Sequence, residues 1–161
     1  MTQTTSRSSR LVLGAATITT GLIAGAFYVF ACAVMPALSR SDDRVYVQVM
    51  RDINEVIQNP VFFLSFLGAP ALTAVAAWQA RGGPGRRWVW AACTASALAF
   101  LITVAFNIPL NDDLTGDGSY ATLRENFEDP WVTWNAVRAG VLTVALGCLT
   151  RALTKIRPSG A

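Results

Sequence analysis

The chain has 161 residues, 53% of them hydrophobic and 14% charged, with a formal net charge of +3 and no histidine. Soluble domains carry about 25% charged residues, so the composition excludes an ordinary soluble globule. The lack of histidine argues against histidine-ligated haem, a di-iron Glu-x-x-His site and most zinc sites.

Residues 1–10 are polar and Ser/Thr-rich, with Arg7 and Arg10, and read as a disordered tail. Residues 11–35 carry no charge and are long enough to cross a bilayer. Ala31-Cys32-Ala33 imitates a signal-cleavage site, but the run is longer than a signal-peptide core of roughly 7–15 residues. Gly21-x-x-x-Gly25 is a small-residue pattern that suits helix packing.

The next segment predicts an amphipathic helix in the first loop. Ser41 is the expected N-cap, with Asp42 and Asp43 in the first turn. Val45, Tyr46, Val49, Met50, Ile53, Val56 and Ile57 form the apolar side, opposite Arg44, Gln48, Arg51, Asp52 and Glu55. The helix should stop near Gln58, because Pro60 disfavours helical geometry at Asn59.

A second span covers 60–80, with Pro70 expected to kink it. Residues 81–87 are basic and Gly/Pro-rich, a tight turn. The third uncharged run is 88–110, and Pro109 should end its helix near Asn107. Residues 111–118 are acidic and turn-rich, and 119–127 suit a short separate helix. Pro130 should then start the fourth span, whose only charge is Arg138.

The predicted fold is therefore an all-α integral membrane four-helix bundle with an additional amphipathic helix in the first outer loop. Its domain is 11–152, with spans at about 11–35, 60–80, 88–108 and 130–151 and tails at 1–10 and 153–161. The tails and the second loop carry Arg7, Arg10, Arg81, Arg86, Arg87, Arg151, Lys155 and Arg157 and no acid. All ten acids lie in the first and third loops. The positive-inside rule then places both termini in the cytoplasm of a cell bounded by this plasma membrane. Topology explains the basic charge without a nucleic-acid partner. Cys32, Cys93 and Cys148 lie within spans and form no disulfide pattern.

The unusual polar residues converge on the outer half. Met35 ends the first span; Asn54 and Asn59 precede the second. Asn107 and Asn111 flank the outer end of the third. Trp131, Trp134, Asn135 and Arg138 follow at i, i+3, i+4 and i+7, one helix face. Arg138 lies about 10 Å deeper than Trp131 at 1.5 Å per residue. A charge at that depth is costly and marks function by default. Two roles stay open: a partner for an anion in a pocket, or a lock to a loop acid such as Asp112 or Asp113. The plainer readings are aromatic-belt tryptophans and capping asparagines.

These motifs resemble the anthrone oxygenase-like family of small four-helix membrane proteins. The resemblance rests on the glycine-rich first span running into Val34-Met35-Pro36-Ala37-Leu38, and on Ile53-Asn54 followed by Asn59-Pro60-Val61-Phe62. It continues through Asn107-Ile108-Pro109-Leu110-Asn111-Asp112 and Trp131…Trp134-Asn135-x-x-Arg138. It implies oxidation of an anthrone to an anthraquinone without an evident metal or flavin, hence no cofactor. On that reading Arg138, Asn107, Asn111 and Asp112 carry the chemistry. Trp131, Trp134, Asn135, Asn59 and Met35 hold a lipophilic aromatic or lipid-like molecule, with membrane lipids and a second copy of the chain as further partners. The alternative is a non-catalytic membrane protein that binds a lipid or quinone-like ligand or assembles with partner membrane proteins.

Overall fold

A computed structural model describes residues 7–83 and 85–155. The expected disorder at 1–6 and the C-terminal tail at 156–161 lie outside them; residues 7–10 begin the first helix. In chain order the helices are α1 (Arg7–Val29), α2 (Met35–Leu38), α3 (Asp43–Val56), α4 (Pro60–Gln79), α5 (Arg86–Ile102), α6 (Ile108–Asp113) and α7 (Tyr120–Lys155). Five-residue π-helical segments, Phe30–Val34 and Thr103–Asn107, fuse α1 to α2 and α5 to α6.

Four helical stretches are long and apolar enough to cross a membrane: Ser8–Leu38, Pro60–Gln79, Arg86–Asp113 and Tyr120–Lys155. α1 and α5 each pack against both α4 and α7. The bundle is thus a square in the order α1, α4, α5, α7, with neighbours antiparallel. Its core is layered. The end bearing the α4–α5 turn is rich in alanine (Ala16, Ala76, Ala77, Ala92, Ala145, Ala152), which lets the helices approach closely. The middle contains Ile23, Phe27 and Leu142. The opposite end, here called the loop end, packs Met35, Tyr46, Val47, Met50, Leu114, Phe127 and Trp131.

Two prolines behave differently from the sequence expectation. Pro109 does not end its helix, and Pro36 also lies inside a continuous helical run. A proline ring collides with the carbonyl four residues earlier, here Cys32 and Ala105, which sit in the π-helical segments. The wider turn moves those carbonyls aside, and Met35 and Ile108 donate their N–H groups five residues back, to Phe30 and Thr103. Ile108 keeps right-handed helical geometry, φ −65° and ψ −52°. Pro130 does not restart a helix either; α7 runs through it for 36 residues. The expected 119–127 helix is simply the first part of α7, which Ser119 caps by accepting the Thr122 N–H at 3.2 Å. At about 54 Å, α7 exceeds the roughly 30 Å hydrocarbon layer, so its acidic first turns stand clear of it.

The amphipathic helix forms as α3, with a shifted cap and face. Asp42, rather than Ser41, caps it by accepting the Val45 N–H at 2.9 Å. Tyr46, Val47 and Met50 are fully buried, whereas Val45 and Val56 are exposed. The Gly21/Gly25 pattern does not seat a neighbouring backbone. A Cβ on Gly21 would meet only the Leu146 side chain, and one on Gly25 would meet nothing within 4 Å.

Candidate functional site

At the loop end the four helices enclose a cavity of about 470 Å³, a volume suited to a drug-sized ligand. Its walls are aromatic: Phe27 and Phe30 on the first span, Phe62 and Phe66 on α4, and Trp131 on α7. Phe62 and Phe66 stack at 5.6 Å between ring centres. The inner polar wall is Thr103, Asn135 and Arg138. Ile53 and Asn54 of α3, with Ile57 just after it, close the top, and Arg51, Glu55, Gln58, Asp112 and Thr115 form a polar rim.

Arg138 is 4% exposed. Its Nη1 donates to Thr103 Oγ1 at 3.2 Å and its Nη2 to Asn135 Oδ1 at 2.9 Å, while Nε has no protein partner. Its guanidinium carbon sits 4.0 Å from the Phe27 ring centre and 5.7 Å from that of Trp131. Among the described residues the ion pairs are those of Arg124 with Asp43 and Glu128, so Arg138 has no carboxylate partner there. The lock to Asp112 or Asp113 is therefore not formed. A buried guanidinium with unused donors, held between aromatic faces and facing a cavity, is a ready site for an anionic oxygen.

The other members are fixed by one another. Asn135 is fully buried and donates from Nδ2 to the Phe27 carbonyl at 3.1 Å, just before the first π-helical segment. Trp131 donates from Nε1 to Asn111 Oδ1 at 2.8 Å. α6 positions Asn111, and α6 is set in register by the π-helical segment before Pro109. The local sequence Asn107-Ile108-Pro109 thus controls where Asn111 meets Trp131.

The remaining sequence candidates separate. Asp112 is exposed and belongs to the rim. Trp134 does not line the cavity; it is half-buried and stacks on Phe106 at 3.8 Å and 10°. Met35 is buried in the loop-end core with Tyr46 and Met50. Asn59 caps α4, accepting the Phe62 N–H at 3.0 Å. Asn107 is 1% exposed, and neither amide atom has a protein partner. Among the described residues no cluster of three or more His, Cys, Asp or Glu is placed to hold a metal ion.

Several site residues escaped the sequence reading. Phe27, Thr103 and Glu55 carry no motif. Phe62 and Phe66 did offer a signal, since i and i+4 aromatics share a helix face. Arg124 is the largest omission. It donates to Glu128 at 2.6 Å, Asp43 at 3.0 Å, and the Ser41 and Ser39 carbonyls at 3.0 Å each. It also lies 4.6 Å over the Tyr46 ring, clamping α3 to α7. Arg51 adds a second tie from α3, donating to the Leu114 carbonyl at 2.9 Å.

Fold and site together define a multi-pass membrane protein of four spanning helices with an aromatic, arginine-bearing cavity near one end. The family model described as anthrone oxygenase matches residues 61–148, and the chain belongs to that family. The match includes α5 through Arg138 and leaves out the Pro36 segment and α3. No curated protein and no solved structure matches the chain.

Proposed function

We propose that the protein oxygenates a lipophilic aromatic substrate of the anthrone type, using dioxygen and the acidity of the substrate itself. Loss of a ring CH₂ proton gives a phenolate-like anion whose oxygen pairs with Arg138. Its ring carbon donates electrons to dioxygen, forming a hydroperoxide; loss of water across the C–O–OH group leaves the quinone. One dioxygen is consumed and one water released per quinone formed.

The observation that carries this reading is the buried Arg138 without a carboxylate, facing an aromatic cavity. In that low-dielectric wall it favours the anion over the neutral ketone. Trp131 and the phenylalanines hold the flat rings. Asn111, oriented by Trp131, and Asn135 direct the substrate oxygens. Asn107 lies in the same π-helical segment as Thr103 and keeps a buried amide without a protein partner, free to bond a substrate oxygen. Asp112 and Glu55, the carboxylates of the cavity wall, are the groups that can accept the proton. Met35 packs in the same cluster as Trp131, and Asn59 fixes the first turn of α4 that carries Phe62. The distribution of basic residues supports a plasma-membrane orientation with cytoplasmic termini and the site near the outer face.

A second reading, a non-catalytic binder of a lipid or quinone-like ligand, is favoured by one fact: both cavity carboxylates are exposed at the rim, away from the inner wall. Purified protein in nanodiscs, supplied with anthrone and air, separates the two. Quinone absorbance rising well above the spontaneous rate, and lost in Arg138→Met, supports the oxygenase. Binding without turnover supports the second reading.

A further inference from the structure

Two residues that line the cavity outside its polar rim, Phe63 and Ile108, are also open to the outside. α4 and α5 are joined by the Phe66–Phe100 ring contact, 5.5 Å between centres. Towards the loop end from that contact, the chain beyond α5 turns onto α7: the π-helical segment and α6 both pack against it. On the α4 side of this divergence stands Phe63, and on the α6 side Ile108. Both line the cavity, yet Phe63 is 39% and Ile108 42% exposed. A residue that lines a cavity and is also open to the outside marks a mouth.

The surroundings of this mouth are apolar. Leu64 and Leu67 on α4, and Val104 and Phe106 beside Ile108, are all exposed. All six residues belong to stretches long and apolar enough to cross a membrane. Phe63 is three residues into α4 and Ile108 five before the end of α6, so each lies within about 8 Å of its helix end at 1.5 Å per residue. That depth is the boundary between head groups and acyl chains. The rim opening, by contrast, is lined by Glu55, Gln58, Asp112 and Thr115 and suits water. Lipid tails cannot hydrogen-bond, so an apolar mouth at this depth costs nothing to expose there and would be unfavourable in water.

We propose that the gap between Phe63 and Ile108 is a lateral portal through which a membrane-dissolved amphiphile enters from the bilayer, acidic oxygen first, to reach Arg138. The occupant is a flat or chain-bearing apolar molecule with one ionisable oxygen. Its apolar part trails through the portal while the oxygen meets the guanidinium. The identity of that occupant rests on the function proposed above; the portal does not. It allows a substrate too insoluble for the aqueous rim to be drawn from the membrane, where it concentrates.

The test uses the full-length protein in nanodiscs and reads no turnover. Trp78, Trp88, Trp90 and Trp134 are replaced by Phe, leaving Trp131 as the reporter on the cavity wall. The native cysteines are replaced by Ala, and one new cysteine is placed at the portal (Ile108→Cys) or at the rim (Gln58→Cys). Each is compared before and after attachment of a bulky maleimide, so folding is common to both arms. The probes are phosphatidylcholine brominated in the upper acyl chain, and acrylamide in the water. Bromolipid should quench Trp131 at least twofold, the Ile108→Cys plug should remove most of that quenching, and the Gln58→Cys plug should leave it while reducing acrylamide quenching. Quenching by acrylamide alone, or bromolipid quenching unaffected by the portal plug, overturns the portal. If the portal result holds and no anthrone is turned over, the oxygenase reading fails and the portal stands.

Discussion

The guanidinium of Arg138 is stacked on Phe27, 4.0 Å from the ring centre, and no carboxylate meets it among the described residues. A cation–π contact returns about 0.5–2 kcal/mol. Burying a charge costs several kcal/mol even after relaxation. The protein groups of the site alone are therefore short of negative charge. A cation built into a lock would leave a stranded acid when removed, at about 3–5 kcal/mol. Here only two neutral acceptors are stranded, at about 1 kcal/mol each, and the buried charge is relieved. Arg138→Met should therefore unfold within about 1 kcal/mol of wild type in denaturant titrations in detergent, while losing the stabilisation that an anionic ligand confers on wild type. A loss of 3 kcal/mol or more without ligand would restore the lock.

Arg124 organises the opposite side of the site. It holds Asp43 and two carbonyls of the α2–α3 turn from the first turns of α7, in a place where water has only partial access. Arg124→Ala should loosen α3 without unfolding the bundle. Amide exchange in α3, read by mass spectrometry, should rise by about tenfold or more, equivalent to ~1.4 kcal/mol, while α5 stays protected. A uniform rise in all helices would show that the clamp supports the whole bundle instead of the cavity's top.

The bundle was legible because membrane burial imposes long uncharged runs, and these survive any detail of packing. Arg138 was legible for the same reason: its cost is readable from its position alone. The expectations for Pro109 and Pro130 failed because the local rule treats a helix in isolation. In the protein a wider turn absorbs Pro36 and Pro109, and contacts on both sides of Pro130 carry α7 through it. Of the four residues on the Trp131 face, Trp131, Asn135 and Arg138 line the cavity. Trp134 points aside because period alone cannot say which edge of an apolar arc meets a neighbour, here Phe106. Arg124 was illegible because its partners, Ser39, Ser41 and Asp43, are some 80 residues away in the chain.

Tyr46 gives the loop end a pH signature. It is 0% exposed and its hydroxyl has no protein partner. Burial, reinforced by the charge of Glu128 and opposed by Arg124, pushes its pKa well above the ordinary tyrosine value. A raised folded-state pKa means stability that is intact below about pH 10, the unfolded value. Above it the unfolded chain ionises and the folded one does not, so stability falls as pH rises. The stability advantage of Tyr46→Phe over wild type should be larger at pH 11 than at pH 8. Parallel loss in both proteins between those pH values would place the alkaline transition elsewhere.

Pro109 should trade stability against site geometry. Replacing it by Ala restores an N–H and removes the ring that pushes on the Ala105 carbonyl. The π-helical segment can then tighten to an ordinary α-turn. Absorbing one residue rotates everything after it by about 100°. Asn111 then leaves Trp131, breaking a 2.8 Å hydrogen bond. The indole N–H resonance of Trp131, identified by its loss in Trp131→Phe, should move upfield in Pro109→Ala. Thermal stability should be equal or higher, because alanine restores the backbone hydrogen bond that the proline cannot make. Ligand affinity should fall by about tenfold, the worth of one well-placed hydrogen bond. An unmoved indole resonance would mean that packing against α7, and not the proline, holds the wide turn. In that case Asn111 is positioned by α7 itself.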